Sequence, residues 1–164
     1  MTKPSSKSES LFRLIYASES AHPFTVQELA EMLLKARALN RSQQISGILC
    51  QGERRFLQCL EGPRDGVNEL YGRIARDPRH TRVTLLGCSE ISVREFPNWD
   101  MAYIHNTRPY LKLIQDLGHT SVFDPHNLDA TDALYLLRFM TLGLTRSGDQ
   151  KESSATGTEE TQEF

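Results

Sequence analysis

The chain reads as an α+β domain of ferredoxin-like βαββαβ order with an added fifth strand. Three observations carry that expectation. Residues 11–18 and 54–61 alternate with the period of two that a strand imposes, two other stretches carry apolar residues at helical spacing, and turn or capping residues separate the runs. Two helices are expected on one face of the sheet and two C-terminal helices on the other.

Residues 11–18 form the first strand. Thr25-Val26-Gln27-Glu28 then opens a helix with capping-box chemistry, the Thr hydroxyl and Glu carboxylate each satisfying a backbone amide of the other's residue. That helix runs to about Leu39 on a stripe of Val26, Leu29, Ala30, Leu33 and Ala36, and one further step reaches Arg37 and Asn40. Residues 45–51 and 54–61 are antiparallel strands joined through Gly52-Glu53, with Gly suited to positive φ. Pro63 suits the first position of a second helix, where its missing N–H costs nothing, and Val67, Leu70, Tyr71 and Ile74 supply the buried stripe. Asp77-Pro78-Arg79-His80 ends it. A fourth strand follows over residues 83–88 and a fifth over residues 99–103. The helices expected on the opposite face are residues 109–117 and 128–142, both rich in apolar side chains.

By composition, 164 residues with 38% hydrophobic and 24% charged content make one domain with short appendages. Residues 1–10 are expected to be a flexible N-terminus, 11–105 the core domain, 106–145 a helical cap, and 146–164, which lack Leu, Ile and Val, a disordered tail. A net charge of −2 leaves no basic footprint for nucleic acid or an anionic membrane surface. The polar N-terminus resembles no signal peptide, so a cytoplasmic setting is expected. Cys50, Cys59 and Cys88 are odd in number without Cys-x-x-Cys spacing and read as reduced, packed thiols.

Against this regular pattern two polar side chains are out of place. The period of two puts Tyr16 on the face of Phe12 and Leu14, and Gln58 on the face of Phe56 and Leu60. A buried hydroxyl or amide left unpaired costs on the order of 1–3 kcal/mol, so two of them facing the core suggest a polar guest that pairs with both. A heteroaromatic ligand held against the sheet would do so. Asn40, at the end of the helix stripe, reads either as a helix stop or as a third such group.

Leu14-Ile15-Tyr16-Ala17-Ser18, Ala36-Arg37 with Asn40, Ile45-Ser46-Gly47-Ile48-Leu49, and Phe56-Leu57-Gln58 with Leu60-Glu61-Gly62-Pro63 occur in this order. Leu70-Tyr71-Gly72-Arg73-Ile74 with Asp77 and Arg79-His80, then Phe96 with Trp99-Asp100-Met101, complete the set. The ordered set, over about residues 11–105, resembles the BLUF family of blue-light sensors using FAD. The resemblance implies FAD, with FMN as an alternative, lying between the two helices that pack on the sheet. It implies that Tyr16 and Gln58 do the photochemistry, that Asn40 and Arg73 bind polar edges of the flavin, and that Asp77, Arg79 and His80 lie near its ribityl and phosphate portion. An electron and a proton would leave Tyr16, and Gln58 would change tautomer or orientation to give a red-shifted state. Trp99 and Met101, placed on one face of the fifth strand by the period of two, would relay the change; the sequence does not decide which lies nearer Gln58. Leu39 stands where relatives often carry Asn or His, so one polar contact to the flavin is expected to be missing.

The implied protein is a photosensor with no catalytic output domain on this chain, signalling to an unidentified downstream protein and self-associating as a homo-oligomer. Other classes share the fold. A small enzyme resembling the acylphosphatases would need a Gly-rich anion loop carrying an Arg, and an RNA-binding sheet would need exposed aromatics on a basic face; neither pattern is present. A flavin-binding module without photochemistry shares every binding residue and differs only in response to light.

Overall fold

The computed structural model describes residues 10–105, 113, 115–116 and 122–152. Five strands, β1 Leu11–Ser20, β2 Ser46–Gly52, β3 Arg55–Pro63, β4 His80–Ile91 and β5 Ala102–Ile104, form one sheet in the order β4-β1-β3-β2-β5. The first four pair antiparallel with their neighbours, and β5 joins β2 in parallel. The helices are α1 Val26–Ser42, α2 Arg64–Arg76 and α3 Ala130–Glu152, with a 3-10 turn at Pro125–Asn127 before α3. This is the expected ferredoxin-like order. Among the described residues no helix is long and apolar enough to cross a membrane.

Local chemistry sets the ends of the elements. The Thr25 hydroxyl accepts from the Glu28 amide at 3.1 Å, and the Glu28 carboxylate accepts from the Thr25 amide at 2.8 Å, completing the capping box. The buried line of α1 is narrower than expected: it runs through Leu29, Leu33, Ala36 and Asn40, while Val26 and Ala30 are exposed. At about 100° per residue, Ala30 stands about a quarter turn away from Leu29, off that line. The hairpin between β2 and β3 turns one residue later than expected, at Glu53 and Arg54, and Glu53 takes the left-handed conformation, at φ 53°. Pro63 caps α2 from outside instead of opening it.

β1 and β4 extend together to a Ser20↔His80 pair, which makes β4 longer than its apolar run suggests. β5 is shorter and later than expected. Residues 99–101 precede it and are held by α1, by the Gln58 side chain and by one β2 amide, Gly47, which donates to the Trp99 carbonyl at 3.0 Å.

Each face of the sheet carries its own core. On one side Phe12, Leu14, Tyr16, Phe56 and Leu60 pack with Leu33 of α1 and Val67 of α2. On the other Ile15, Ile48, Cys50, Leu57 and Cys59 pack with Ala133, Leu136, Leu137 and Met140 of α3. Gly87 lets α3 settle on β4: a Cβ there would lie 2.6 Å from that of Ala130. α3 starts two residues after Leu128, itself buried in the preceding loop, and continues to Glu152, past Arg146 where a tail is expected from composition. The expected helix over residues 109–117 lies largely outside the described residues. Cys50 and Cys59 are packed thiols as expected, whereas Cys88 is exposed because it stands on the edge strand β4.

Glu61 is fully buried at the end of β3. Its carboxylate accepts from Arg13 at 2.7 Å and from the backbone amides of Glu95 and Phe96 at 2.8 and 3.0 Å, fixing the chain that leaves β4. Removing one partner strands a buried charge. Glu61→Ala is expected to lower unfolding stability by about 3–5 kcal/mol in urea titration, and Arg13→Met with Glu61→Leu to recover part of that loss.

Candidate functional site

Strand register places Tyr16 of β1 directly opposite Gln58 of β3, on the face covered by α1 and α2. Cross-strand neighbours of this kind have Cβ atoms close enough for their side chains to meet. The Tyr16 hydroxyl donates to Gln58 Oε1, and Gln58 Nε2 donates onward to the Met101 sulfur at 3.2 Å. All three side chains are buried. The result is a directed chain, phenol to amide to thioether, whose last acceptor is a weak one. Burial, reinforced by nearby Tyr71, raises the Tyr16 pKa far above the ordinary phenol range, so the proton stays on oxygen at neutral pH.

This chain borders a cleft of about 240 Å³ between α1 and α2. Its floor is Tyr16, Leu49 and Gln58; α1 contributes Leu33, Ala36, Leu39 and Asn40; α2 and the segment after it contribute Leu70, Arg73, Ile74, Asp77, Arg79 and His80; Met101 closes one end. Asn40 is 1% exposed, and its Nδ2 donates to the Asp100 carbonyl at 2.7 Å while Oδ1 has no partner among the described residues. A helix stop needs only the backbone of such a residue. An orphaned amide oxygen in an apolar cleft calls for a ligand N–H.

At the far end Arg79 chelates the Asp77 carboxylate, through Nε at 3.0 Å and Nη2 at 2.6 Å, and pulls its pKa down to about 2. Burial lowers the pKa of His80, whose Nδ1 lies 3.1 Å from the Ser18 hydroxyl and whose ring lies 5.6 Å from that of Phe56. Arg73 pairs with Glu69 one turn back on α2 and remains half exposed at the cleft rim. Amides on an apolar floor suit a ligand with a planar heteroaromatic ring, and Arg73 and Arg79, each held by a carboxylate, add polar groups along the cleft.

Of the nine residues singled out from sequence, eight line this cleft. Trp99 does not: it packs on the α3 side of the sheet, while Met101 faces the cleft side. The period of two fails here because residues 99–101 lie outside the strand ladder. Met101, not Trp99, is therefore the neighbour of Gln58. Two residues of the motif gain a role only from the structure: Ser18, which follows Tyr16 on β1 by two and meets His80, and Arg37, which donates to the Met101 carbonyl at 2.9 Å.

The family model described as sensors of blue light using FAD matches residues 11–102. The photoactivated adenylate cyclase subunit beta of Euglena gracilis is 38% identical over 88 residues, covering 54% of this chain and 10% of that protein. The blue light- and temperature-regulated antirepressor BluF of Escherichia coli strain K12 is 32% identical over 117 residues, covering 69% of this chain and 29% of that protein. This chain thus spans about a tenth of the cyclase relative's length. Among solved structures, the photo-activated state of BlsA is similar with a TM-score of 0.72 and 29% identity, covering 77% of this chain and 91% of that one. The dark state of the BLUF protein BlrB gives a TM-score of 0.66 and 26% identity, covering 79% and 93%.

The Asp77 pKa of about 2 against its ordinary 3.8 fixes a pH dependence. A carboxyl whose pKa is depressed on folding adds stability that is present above the unfolded value and lost as pH falls through the folded one. Arg79→Gln is accordingly expected to be less stable than the parent at neutral pH, with the gap narrowing as pH drops from about 4 to about 2; thermal unfolding across that range checks it.

Proposed function

The chain belongs to the BLUF family, the sensors of blue light that use FAD, and we propose that in it Tyr16 and Gln58 form the photochemical pair, Asn40 anchors the flavin ring, and Met101 carries the change outward. The observation that supports this most is the buried Tyr16-to-Gln58-to-Met101 hydrogen-bond chain bordering a cleft with an orphaned Asn40 oxygen. Asn40 Oδ1 and the Gln58 amide suit the ring, which offers both donors and acceptors on its rim. Arg73 is the residue for the opposite polar edge of the ring, and Asp77, Arg79 and His80 are those for the ribityl and phosphate portion. Leu39 lines the cleft as an apolar wall, consistent with one polar contact fewer.

When bound, FAD supplies absorption of blue light and, once excited, a strong pull on an electron nearby. Tyr16 is the donor suited to that pull. In the dark its phenol is neutral; loss of an electron makes it strongly acidic, and its proton can pass along the existing hydrogen bond to Gln58 Oε1. When electron and proton return, Tyr16 is restored, and Gln58 alone can settle with donor and acceptor exchanged, by tautomer or by rotation, without moving its backbone. The N–H directed at Met101 is then withdrawn. Because Ala102 and Ile104, just after Met101, belong to the core shared with α3, a shift of this segment reaches the opposite face of the sheet. A separate protein that reads the α3 side is the proposed recipient.

Absorption spectroscopy tests the assignment. Tyr16→Phe and Gln58→Leu are expected to fold and retain flavin, yet lose the light-induced red shift, because each keeps volume and removes the hydrogen-bonding role. Asn40→Ala is expected to weaken flavin retention about tenfold while preserving the shift in the molecules that stay loaded. A normal reversible shift in Tyr16→Phe contradicts the donor role. Retention equal to the parent in Asn40→Ala leaves Asn40 as a helix-end residue only.

A further inference from the structure

Residues 99–101 are held in an unusual way. They precede β5 and lack its ladder to β2, yet they carry Trp99 into one core and Met101 into the other. Among the described residues, apart from the Gly47 amide and the Gln58 amide on the Met101 sulfur, their hydrogen bonds and ion pairs come from the last two turns of α1: Arg37 Nε donates to the Met101 carbonyl at 2.9 Å, Asn40 Nδ2 to the Asp100 carbonyl at 2.7 Å, and Arg41 pairs with the Asp100 carboxylate at 2.6 Å. An open groove of about 420 Å³ runs beside the segment, so a displaced backbone has room.

We propose that Arg37 and Arg41 are positioning residues: a clasp from α1 that sets residues 99–101 so that the Met101 sulfur meets Gln58, with the Arg41 to Asp100 ion pair as its adjustable part. Neither Arg touches the Tyr16 and Gln58 pair. Both act through the segment that does. Arg41 is 76% exposed and Asp100 32%, so the pair sits in water and shifts an equilibrium by a factor of only roughly two to five. That small factor matters because the segment has few competing ties. Once Gln58 withdraws its N–H, the α1 contacts and Gly47 are what remain to draw Met101 back. The clasp therefore governs how fast the dark arrangement is regained, and through its exposed charges makes that rate sensitive to salt.

The kinetic consequence rests on the photochemical reading, but the clasp itself does not. Trp99 is the chain's single tryptophan and is the residue next to Asp100, so its fluorescence reports the segment alone. In the flavin-loaded full chain kept dark, Arg41→Gln is expected to raise acrylamide quenching of Trp99 at least about twofold and to slow dark recovery after blue light roughly two- to fivefold. About 1 M NaCl should do the same to the parent and leave the variant unchanged. The charge swap of Arg41→Asp with Asp100→Arg should restore both readouts. Parent-like quenching in Arg41→Gln, or a parent insensitive to salt, overturns the clasp. The salt titration of the parent decides the matter even if a variant fails to fold. A parent with no light-induced shift at all would sink the photochemical reading, while dark quenching of Trp99 would still decide the clasp.

Discussion

The register that sets Tyr16 against Gln58 is the constraint on which the site depends. A slip of one residue in either strand would turn that strand's side chains to the other face, put Ile15 or Cys59 in the cleft, and bury the phenol or the amide under α3. Register is enforced from both sides, since the two strands are flanked by neighbours and covered on both faces. In this setting the Tyr16 to Gln58 hydrogen bond offsets the cost of burying two polar groups and leaves one amide hydrogen to reach Met101. The side chains packed around the phenol are mostly apolar, which keeps it protonated.

The sheet separates reception from output. α1 and α2 leave a cleft between them, α3 covers the other face, and among the described residues two connections lead from the sheet toward α3. One is the chain itself, passing from Met101 in the cleft core to Ala102 in the α3 core. The other is Glu61, which ties β3 to the backbone at Glu95, whose carboxylate in turn pairs with Arg138 of α3 at 2.5 Å. The second is braced by a buried ion pair and suits a fixed support. The first has few ties and suits a moving part.

Much of this was legible in the residues. Alternation in β1 and β3 exposed Tyr16 and Gln58 as misplaced polarity, and the capping box located α1, because both signals are short-range and intrinsic to the local chain. What failed had a long-range cause. The period of two gives Trp99 and Met101 one face only within a strand ladder, whereas the element that holds this segment is α1, about sixty residues earlier. The length of β4 depends on how far β1 extends, and the role of Glu61, a buried anchor for a loop that follows β4, depends on backbone amides more than thirty residues later. A charged residue continuing the inward line of Leu57 and Cys59 was the available clue. The cleft could not have been read from periodicity at all, since an apolar helix face looks alike whether it meets a sheet or a ligand.

The most direct measurement is the absorption spectrum of the purified flavin-loaded chain before and after blue light, followed through recovery in the dark. A buried Tyr and Gln that exchange hydrogen-bonding roles beside the ring predict a modest red shift that appears on illumination and disappears in the dark without loss of flavin. Bound flavin with a spectrum that does not move would contradict them, leaving a flavin-binding domain whose Tyr16 and Gln58 serve only to hold it.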